Sequence, residues 1–243
     1  MRGVFVTGTD TGVGKTFVGV ALATLLRERG LGVGVMKPAE TGVTDPYAPH
    51  YSEDAARLVV AAGVDDPPDL VVPYRLSEPL APAVAAELEG RKISTEVVLS
   101  AYAELSRRHE FLIVEGAGGI AVPFNEDLDM ADLACALNLP LLVVSATGLG
   151  AINGCMLTVE YAHARGLEVL GILLNLRQEV PDAAERTNPR IIARLTGLPI
   201  YGPIDLLTCA KDPELSDGRA AVEAVRRACP KLVEDLGGSA SAV

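Results

Sequence analysis

The sequence predicts an α/β protein whose doubly wound, mostly parallel sheet carries helices on both faces. Short apolar runs alternate with amphipathic segments along the 243 residues, as expected for parallel strands joined by right-handed helical crossovers. Aromatic residues make up 4% of the chain against 49% hydrophobic residues, and Trp is absent. The core is therefore aliphatic, which suits a sheet buried on both faces.

The first half of the chain shows the alternation clearly. A strand over 3–7 leads through a loop into a helix over 15–29, which Gly30 stops. A second strand covers 33–37. Ser52 is the predicted N-cap of a helix that ends at residue 62, before Gly63. Ser94 caps a further helix, which ends near the basic residues 107–109, a favourable charge at a helix C-terminus.

The second half continues the same pattern. Continuous apolar strands cover 111–115 and 141–145, a helix over 151–165 ends at Gly166, and a strand covers 169–175. A helix over 189–195, a short strand at 200–201 and a last helix near 217–228 follow. No internal repeat or linker interrupts the series. We therefore predict one domain over residues 1–236 and a flexible C-terminal tail over 237–243.

Charge and composition narrow the possible partners and location. The net charge of −11 disfavours nucleic acid and anionic membranes, which attract clustered Lys and Arg. The start of the chain lacks the apolar run of a signal peptide, and no stretch reaches the roughly 18 apolar residues of a membrane span. The four cysteines form no CxxC pair. We predict a cytoplasmic protein that binds neither nucleic acid nor membrane.

The most informative segment is G-T-D-T-G-V-G-K-T at residues 8–16, between the first strand and the first helix. This context is typical of a P-loop, in which backbone N–H groups surround phosphates. Lys15 would contact the phosphates, and the Thr16 hydroxyl would bind Mg²⁺. Thr9 occupies the position of the first motif glycine. The alternative is a glycine-rich turn that only joins strand to helix; the motif favours a P-loop NTPase fold with ATP and Mg²⁺ as ligands.

Three further charged residues are candidates for the same edge of the sheet. Glu115 ends a strand, where P-loop enzymes carry an acid that holds Mg²⁺, and the glycines after it allow close approach of a ligand. Lys37 ends the second strand at the edge where open α/β sheets bind ligands. Either residue could instead be solvated. Asp54 lies in the first turn of a helix, where acids commonly oppose the helix dipole, and the residues alone favour that ordinary role.

Together these segments resemble dethiobiotin synthetases. The similarity rests on T-D-T-G-V-G-K-T at residues 9–16, K-P-A-E-T-G at 37–42, V-E-G-A-G-G at 114–119, G-L-G-A-I-N at 148–153 and L-L-N at 173–175. The segments occur in family order between residue 3 and about residue 207. Thr9 in the loop is itself usual for this family.

The resemblance implies a set of nucleotide contacts. Lys15 and Lys37 would be catalytic, and Thr16, Asp54 and Glu115 would surround Mg²⁺. The implied ATP-binding residues, besides these metal ligands, are Gly12, Val13, Gly14, Lys15, Phe17, Gly116, Ala117, Gly118, Asn175, Leu176, Ile204, Asp205 and Leu206. Family members usually carry Pro where this chain has Asp205, which implies looser selectivity for the base.

The resemblance also implies the substrates and the assembly. The enzyme would carboxylate 7,8-diaminononanoate with CO₂, phosphorylate the carbamate from MgATP and close the ureido ring of dethiobiotin, releasing ADP and phosphate. Thr11 and Thr41 would contact this substrate. Its carboxylate would bind across a homodimer interface at a helix N-terminus, a favourable anion site, through Gly150, Ala151, Ile152 and Asn153.

Three other interpretations of the motifs were weighed. Deviant-Walker switch ATPases carry an additional lysine early in the loop, where this chain has Thr9 and Asp10. Amidoligases that act on corrinoid carboxylates are much longer and carry a glutaminase domain. A regulatory, non-catalytic nucleotide-binding domain of the same fold need not retain Lys15, Lys37 and Glu115 together. The sequence favours the ATP-dependent ligase.

Overall fold

The computed structural model describes residues 2–178, 180–205 and 219–238. Its strands are β1 (Arg2–Gly8), β2 (Val33–Met36), β3 (Ala39–Thr41), β4 (Tyr74–Leu76), β5 (Phe111–Gly119), β6 (Leu141–Ala146), β7 (Val169–Leu176) and β8 (Ile200–Asp205). Its helices are α1 (Lys15–Glu28), α2 (Glu53–Ala62), α3 (Pro68–Val71), α4 (Pro82–Leu88), α5 (Thr95–Arg108), α6 (Met130–Leu137), α7 (Ala151–Ala164), α8 (Ala183–Thr196), α9 (Arg219–Ala228) and α10 (Pro230–Gly238).

Within these residues, six strands form one sheet in the order β2-β5-β1-β6-β7-β8, and every pairing is parallel. β1 lies inside the sheet between β5 and β6. Its carboxyl end, which leads into the glycine-rich loop, is therefore flanked by the carboxyl ends of two other strands. The predicted α/β fold with a parallel sheet is confirmed.

The core consists of two apolar layers, one on each face of the sheet. One layer contains residues of α1, α2, α9 and α10, and the other contains residues of α4, α5, α6, α7 and α8. β5 shows how the sequence builds both: Phe111 and Ile113 belong to the first layer, and Leu112 and Val114 to the second. A strand covered on both faces needs apolar side chains at every position, which explains its continuous apolar run.

The predicted start of α8 is wrong. The helix begins at Ala183, six residues before the predicted start, and Pro189 lies inside it. Asp182 and Glu185 form a capping box, in which each side chain accepts a hydrogen bond from the other's backbone N–H. This cap starts the helix early, and Pro189 removes one backbone donor without ending it. β8 likewise continues four residues beyond the predicted end, to Asp205.

Several short elements were not predicted: β3, β4, α3, α4, α6 and α10. β3 and β4 pair in parallel as a separate two-stranded sheet. α10 extends to Gly238 and so includes the first two residues of the predicted tail. Residues 239–243 and the predicted start of the last helix at residue 217 lie outside the described residues. No helix in the described ranges is both long and apolar enough to cross a membrane.

Candidate active site

The glycine-rich loop connects β1 to α1 at the middle of the sheet. Gly12 and Gly14 have φ of 71° and 97°, the left-handed region that side chains disfavour. Gly14 is the N-cap of α1 and provides no capping side chain. The first-turn N–H groups of a helix have no intrahelical acceptor, so this loop presents backbone donors at the positive end of α1. Such an arrangement binds phosphate.

Lys15, the first residue of α1, folds back over the loop. Its Nζ donates to the carbonyl oxygen of Asp10 at 3.1 Å, and the residue is 8% exposed. Burial lowers the pKa of Lys15 below its ordinary value; the nearby Glu115 carboxylate opposes this shift, and the Lys37 ammonium adds to it. A phosphate in the loop would supply the negative charge that favours the ammonium form.

Lys37, Asp54, Glu115 and Thr16 form one bonded cluster beside the loop. Lys37 follows β2 directly, and its Nζ donates to Asp54 Oδ2 at 2.5 Å and to Glu115 Oε1 at 2.9 Å. The Thr16 hydroxyl donates to Glu115 Oε1 at 2.8 Å. Lys37 and Glu115 are 6% and 1% exposed, so neither is a solvated strand end. Lys37, Asp54 and Glu115, each a candidate from the sequence, therefore lie together in the structure.

The carboxylates of the cluster keep Lys37 in its ammonium form. Burial acts against the Lys37 ammonium, but the carboxylates of Glu115, Asp54 and Glu40 outweigh it and raise the pKa of Lys37 above its ordinary value. Burial also acts against the Asp54 carboxylate, yet the charge and hydrogen bond of Lys37 lower the pKa of Asp54. Lys37 and Asp54 therefore form an ion pair at neutral pH.

The donor set suits a hard cation. Glu115 Oε2 is buried and has no hydrogen-bond partner. It lies in the cluster that brings together the Thr16 hydroxyl and the Asp54 carboxylate, and oxygens of these kinds are the ligands that Mg²⁺ prefers. Among the described residues, no group of three or more His, Cys, Asp or Glu side chains is placed to hold a metal ion. Two carboxylates and a hydroxyl fit a Mg²⁺ whose remaining ligands come from water and phosphate.

The end of β5 runs alongside the loop. Gly119 pairs with Gly8, and a Cβ on Gly8 would lie 2.7 Å from the Asp10 carbonyl oxygen, so the backbones approach closely. A Cβ on Gly118 would lie 3.6 Å from the Thr11 hydroxyl. Gly116 instead faces the core, because a Cβ there would lie 2.8 Å from the Phe5 ring. Of the glycines after Glu115, Gly118 and Gly119 lie against the loop, since a Cβ on Gly119 would lie 3.7 Å from the Thr9 carbonyl oxygen.

The carboxyl ends of β7 and β8 lie on the other side of the loop. Asn175 Nδ2 donates to the Val13 carbonyl at 2.5 Å, whereas Asn175 Oδ1 is buried and has no hydrogen-bond partner. Asn175 pairs with Ile204, and Leu176 pairs with Asp205. An amide with one unused acceptor can receive a donor from a ligand. Leu206 lies outside the described residues.

The start of α7 is the third part of the site. Gly150 is its N-cap with φ of 95°, and a Cβ on Gly154 would lie 3.4 Å from the Thr9 Cβ, so the first turn packs beside the loop. Asn188 on α8 donates to the carbonyls of Thr147 and Gly148 at 2.7 and 2.9 Å. α8 therefore holds the segment that leads into α7. Of the predicted substrate residues there, Ala151 is buried, Ile152 is half-buried and Asn153 is exposed.

Comparison with known proteins gives the family. The family described as "AAA domain" matches residues 2–213. A protein of Anaeromyxobacter sp. (strain Fw109-5), described as ATP-dependent dethiobiotin synthetase BioD, is 49% identical over 81% of this chain and 86% of its own. The chain belongs to the dethiobiotin synthetase family. Proteins of that description from Bacillus licheniformis and Bacillus subtilis (strain 168) are 45% and 43% identical, each over 83% of this chain, and the match spans 85% and 86% of their own length.

Solved structures show the breadth of the fold. A septum site-determining protein MinD complexed with Mg-ADP, from Pyrococcus horikoshii OT3, aligns over 100% of this chain and 99% of its own with a TM-score of 0.58 and 19% identity. A ParA family ATPase from Chlorobium tepidum aligns over 98% and 97% with a TM-score of 0.55 and 16% identity. At such low identity the likeness concerns the fold alone. This chain thus shares the fold of these two proteins.

Two residues show what the family segments did and did not reveal. Thr41 ends β3 and is half-buried, and its substrate role stays a prediction. Glu40, one residue earlier in the same segment, was not predicted. It is 6% exposed, and its carboxylate accepts hydrogen bonds at the N-terminus of α2. The available signal was an acid within the K-P-A-E-T-G segment at 37–42.

Proposed function

We propose that this chain is an ATP-dependent dethiobiotin synthetase that converts 7,8-diaminononanoate and CO₂ to dethiobiotin. Family membership supports an ATP-dependent ligase that forms C–N bonds in biotin biosynthesis. The observation that carries the proposal is the position of Lys37. Its ammonium is bonded to Glu115, which in turn accepts from Thr16 of the P-loop, so a second cation stands where phosphoryl transfer would occur.

The chemistry needs such cations. One substrate amine adds to CO₂, gives up a proton and becomes a carbamate. A carbamate oxygen attacks the γ-phosphorus of ATP, and ADP leaves. The second amine attacks the resulting carbamic–phosphoric anhydride at its carbon, phosphate leaves, and the five-membered ureido ring closes. Lys15 and Lys37 stabilise the carbamate and the charge that develops on the phosphoryl oxygens. Both also disfavour the ammonium form of a nearby amine, and only the neutral amine can attack.

Thr16, Asp54 and Glu115 are the residues that would hold Mg²⁺. The bound cation neutralises phosphate charge during transfer. Lys37 is bonded to both of these carboxylates, so a cation held there would compete with Lys37 for the same oxygens. On the other side of the loop, Asn175 is the candidate for reading the base, with Leu176, Ile204 and Asp205 beside it.

The long substrate needs a second polar site for its carboxylate. The candidate is the N-terminus of α7, where the backbone N–H groups of Gly150, Ile152 and Asn153 and the Asn153 amide are the candidate donors. The Ala151 N–H already donates to the Gly148 carbonyl oxygen at 3.1 Å. Leu149 beside it is 98% exposed, and Leu157 on the same helix is 62% exposed. Exposed apolar side chains of this size support burial against another chain. We propose a homodimer in which this helix start completes the partner's site.

The reaction is tested by incubating the chain with MgATP, bicarbonate and diaminononanoate. ATP hydrolysis that requires both the diamine and bicarbonate, with dethiobiotin detected by mass spectrometry, is expected. ATP hydrolysis at the same rate with and without the diamine would instead favour a switch ATPase. Nucleotide binding without turnover would favour a regulatory domain.

The shared site is tested by complementation. Lys37→Ala removes the catalytic cation, and Ala151→Glu puts a bulky acid at the start of α7. Each variant should be inactive as a homodimer. If sites are shared, a mixed dimer has one site with both lesions and one with neither, so activity should return. Mixtures that exchange subunits yet stay inactive, or a monomer by light scattering, would contradict the arrangement.

A further inference from the structure

Glu40 reaches from β3 to the N-terminus of α2. Its Oε1 accepts from the backbone N–H of Asp54 at 3.0 Å. Its Oε2 accepts from the Ser52 hydroxyl at 2.5 Å and from the N–H of Ala55 at 3.3 Å. Both carboxylate oxygens are therefore engaged, and all three partners belong to the first turn of one helix or its N-cap.

This cap replaces the usual one. Ser52 is the N-cap residue of α2, but its side chain makes no capping hydrogen bond and donates to Glu40 instead. Orphan N–H groups at a helix start are normally satisfied by the N-cap side chain itself. Here the acceptor comes from a residue twelve positions earlier in the chain, so the start of α2 is fixed to the small β3–β4 sheet.

The consequence concerns Asp54. Its side chain is 34% exposed, so packing does not determine its position, whereas the side chains of Lys37 and Glu115 are 8% and 1% exposed. Lys37 holds the Asp54 carboxylate at 2.5 Å, and Glu40 holds the Asp54 backbone N–H at 3.0 Å. A carboxylate can serve a defined cation site only if its backbone is held, because metal ligands depend on the groups that orient them.

We propose that Glu40 is a positioning residue that sets Asp54 for Mg²⁺. The inference rests on the proposed function of Thr16, Asp54 and Glu115 as Mg²⁺ ligands. Glu40 itself touches neither the cation nor the nucleotide; it acts through the helix start. Its removal would leave the three ligands in the sequence but free the backbone that carries one of them.

The test compares Glu40→Gln with the parent chain. Gln keeps the size of Glu40 and one carbonyl acceptor but loses the second acceptor oxygen, so the first turn of α2 is held less firmly. Binding of ADP is measured by titration calorimetry with Mg²⁺ at a series of concentrations and with EDTA. We expect the Mg²⁺ concentration for half-maximal enhancement of binding to rise about 10-fold, within the range for groups that orient metal ligands. Binding in EDTA should stay within about twofold of the parent.

Asp66→Asn is the matched control. Asp66 is also a buried acid, 5% exposed, and accepts from Arg108 and His109 at 3.2 and 2.6 Å. It lies beyond the C-terminus of α2, whose last residue, Ala62, is about 12 Å along the helix axis from Asp54. Its replacement should lower the melting temperature but leave the Mg²⁺ requirement of ADP binding unchanged. Ser52→Ala removes one donor to Glu40 but keeps the Asp54 bond, and its effect should be smaller than that of Glu40→Gln.

The outcomes separate two failures. A folded Glu40→Gln chain with the parent's Mg²⁺ requirement would overturn the positioning role alone. An equal rise in the Mg²⁺ requirement of the Asp66→Asn chain would also overturn the positioning role, because a general loss of stability would then explain the result. A parent chain whose ADP binding ignores Mg²⁺ would overturn the metal assignment and this inference together.

Discussion

The two sides of the P-loop are built differently. On the phosphate side, Lys37, Asp54, Glu115 and Thr16 are joined by ion pairs and hydrogen bonds between side chains. On the base side, Asn175 is bonded to the backbone of the loop and keeps an unused acceptor oxygen. Ligand binding on the first side should therefore depend on charge, and ligand binding on the second side should depend on shape and on one amide group. Charge substitutions should therefore act strongly on the first side, whereas changes on the second should alter selectivity more than rate.

The largest effect is expected from removing either cation. Lys15→Ala and Lys37→Ala should each lower turnover by roughly 10²–10³-fold, the scale of losing one preorganised stabiliser of developing charge. Steady-state kinetics of dethiobiotin formation measure it. Lys92→Ala is the control, because the Lys92 side chain is 84% exposed and pairs with Glu126, whose side chain is 75% exposed. A Lys37→Ala chain with near-normal turnover would remove Lys37 from the mechanism.

The acids should come next. Glu115→Gln and Asp54→Asn should each raise the Mg²⁺ concentration for half-maximal activity by about 10–100-fold, because hard cations prefer carboxylate oxygen. The KM for the diamine should change less. Asp69→Asn, on a side chain that is 85% exposed, controls for loss of one surface charge. Variants that retain the parent's Mg²⁺ requirement would show that these acids serve only to pair with Lys37.

The two lysines should also differ in their response to pH. Burial lowers the pKa of Lys15, so Lys15 loses its proton at a pH below its ordinary pKa of 10.5. Lys37 has a raised pKa and keeps its charge over the same range. The kcat/KM for ATP, which reports on free enzyme, should fall by up to about tenfold per pH unit above the lowered pKa. Lys15→Arg stays protonated and should lack this fall. A parent profile that is flat up to pH 10.5 would contradict the assignment.

The smallest effect is expected on the base side. Asp205 stands at the end of β8 beside Leu176, where the family resemblance implies Pro. CTP or GTP should therefore replace ATP with less than about a tenfold loss in kcat/KM, a small discrimination for contacts of this kind. Asp205→Pro should sharpen the preference for ATP, and the edge position of β8 tolerates Pro. Competition assays measure both, and a hundredfold preference for ATP in the parent chain would refute the idea.

The sequence revealed the parts of this protein that depend on local pattern. The long apolar strands, α1 and α7 were predicted within a few residues, because burial on both faces and left-handed glycines leave clear marks. α8 was misplaced because Pro189 was read as a start, although the Asp182–Glu185 capping box lies before it. β3 and β4 are three residues each and exist through their mutual pairing. Periodicity cannot detect segments that short.

The sequence predicted that the site residues share one edge of the sheet, but not that they are bonded to one another. Residues 37, 54 and 115 were each assigned a role, but no sequence pattern showed that Lys37 would bridge both acids. The contact between Lys37 and Glu115, 78 positions apart, depends on the order of strands in the sheet, which places β2 beside β5. Glu40 was missed for the same reason, since its partners belong to a helix that starts thirteen positions later.

The bonds of Asn188 have an electrostatic consequence for the start of α7. A loop that enters a helix usually offers an approaching ion both carbonyl oxygens and N–H groups, and the oxygens repel an anion. Here the Asn188 amide satisfies the carbonyls of Thr147 and Gly148 from the protein side. Two acceptor oxygens that would repel an anion are thus already engaged, and the positive end of the α7 dipole is opposed less at this point. This face of the molecule can attract a carboxylate without any cationic side chain.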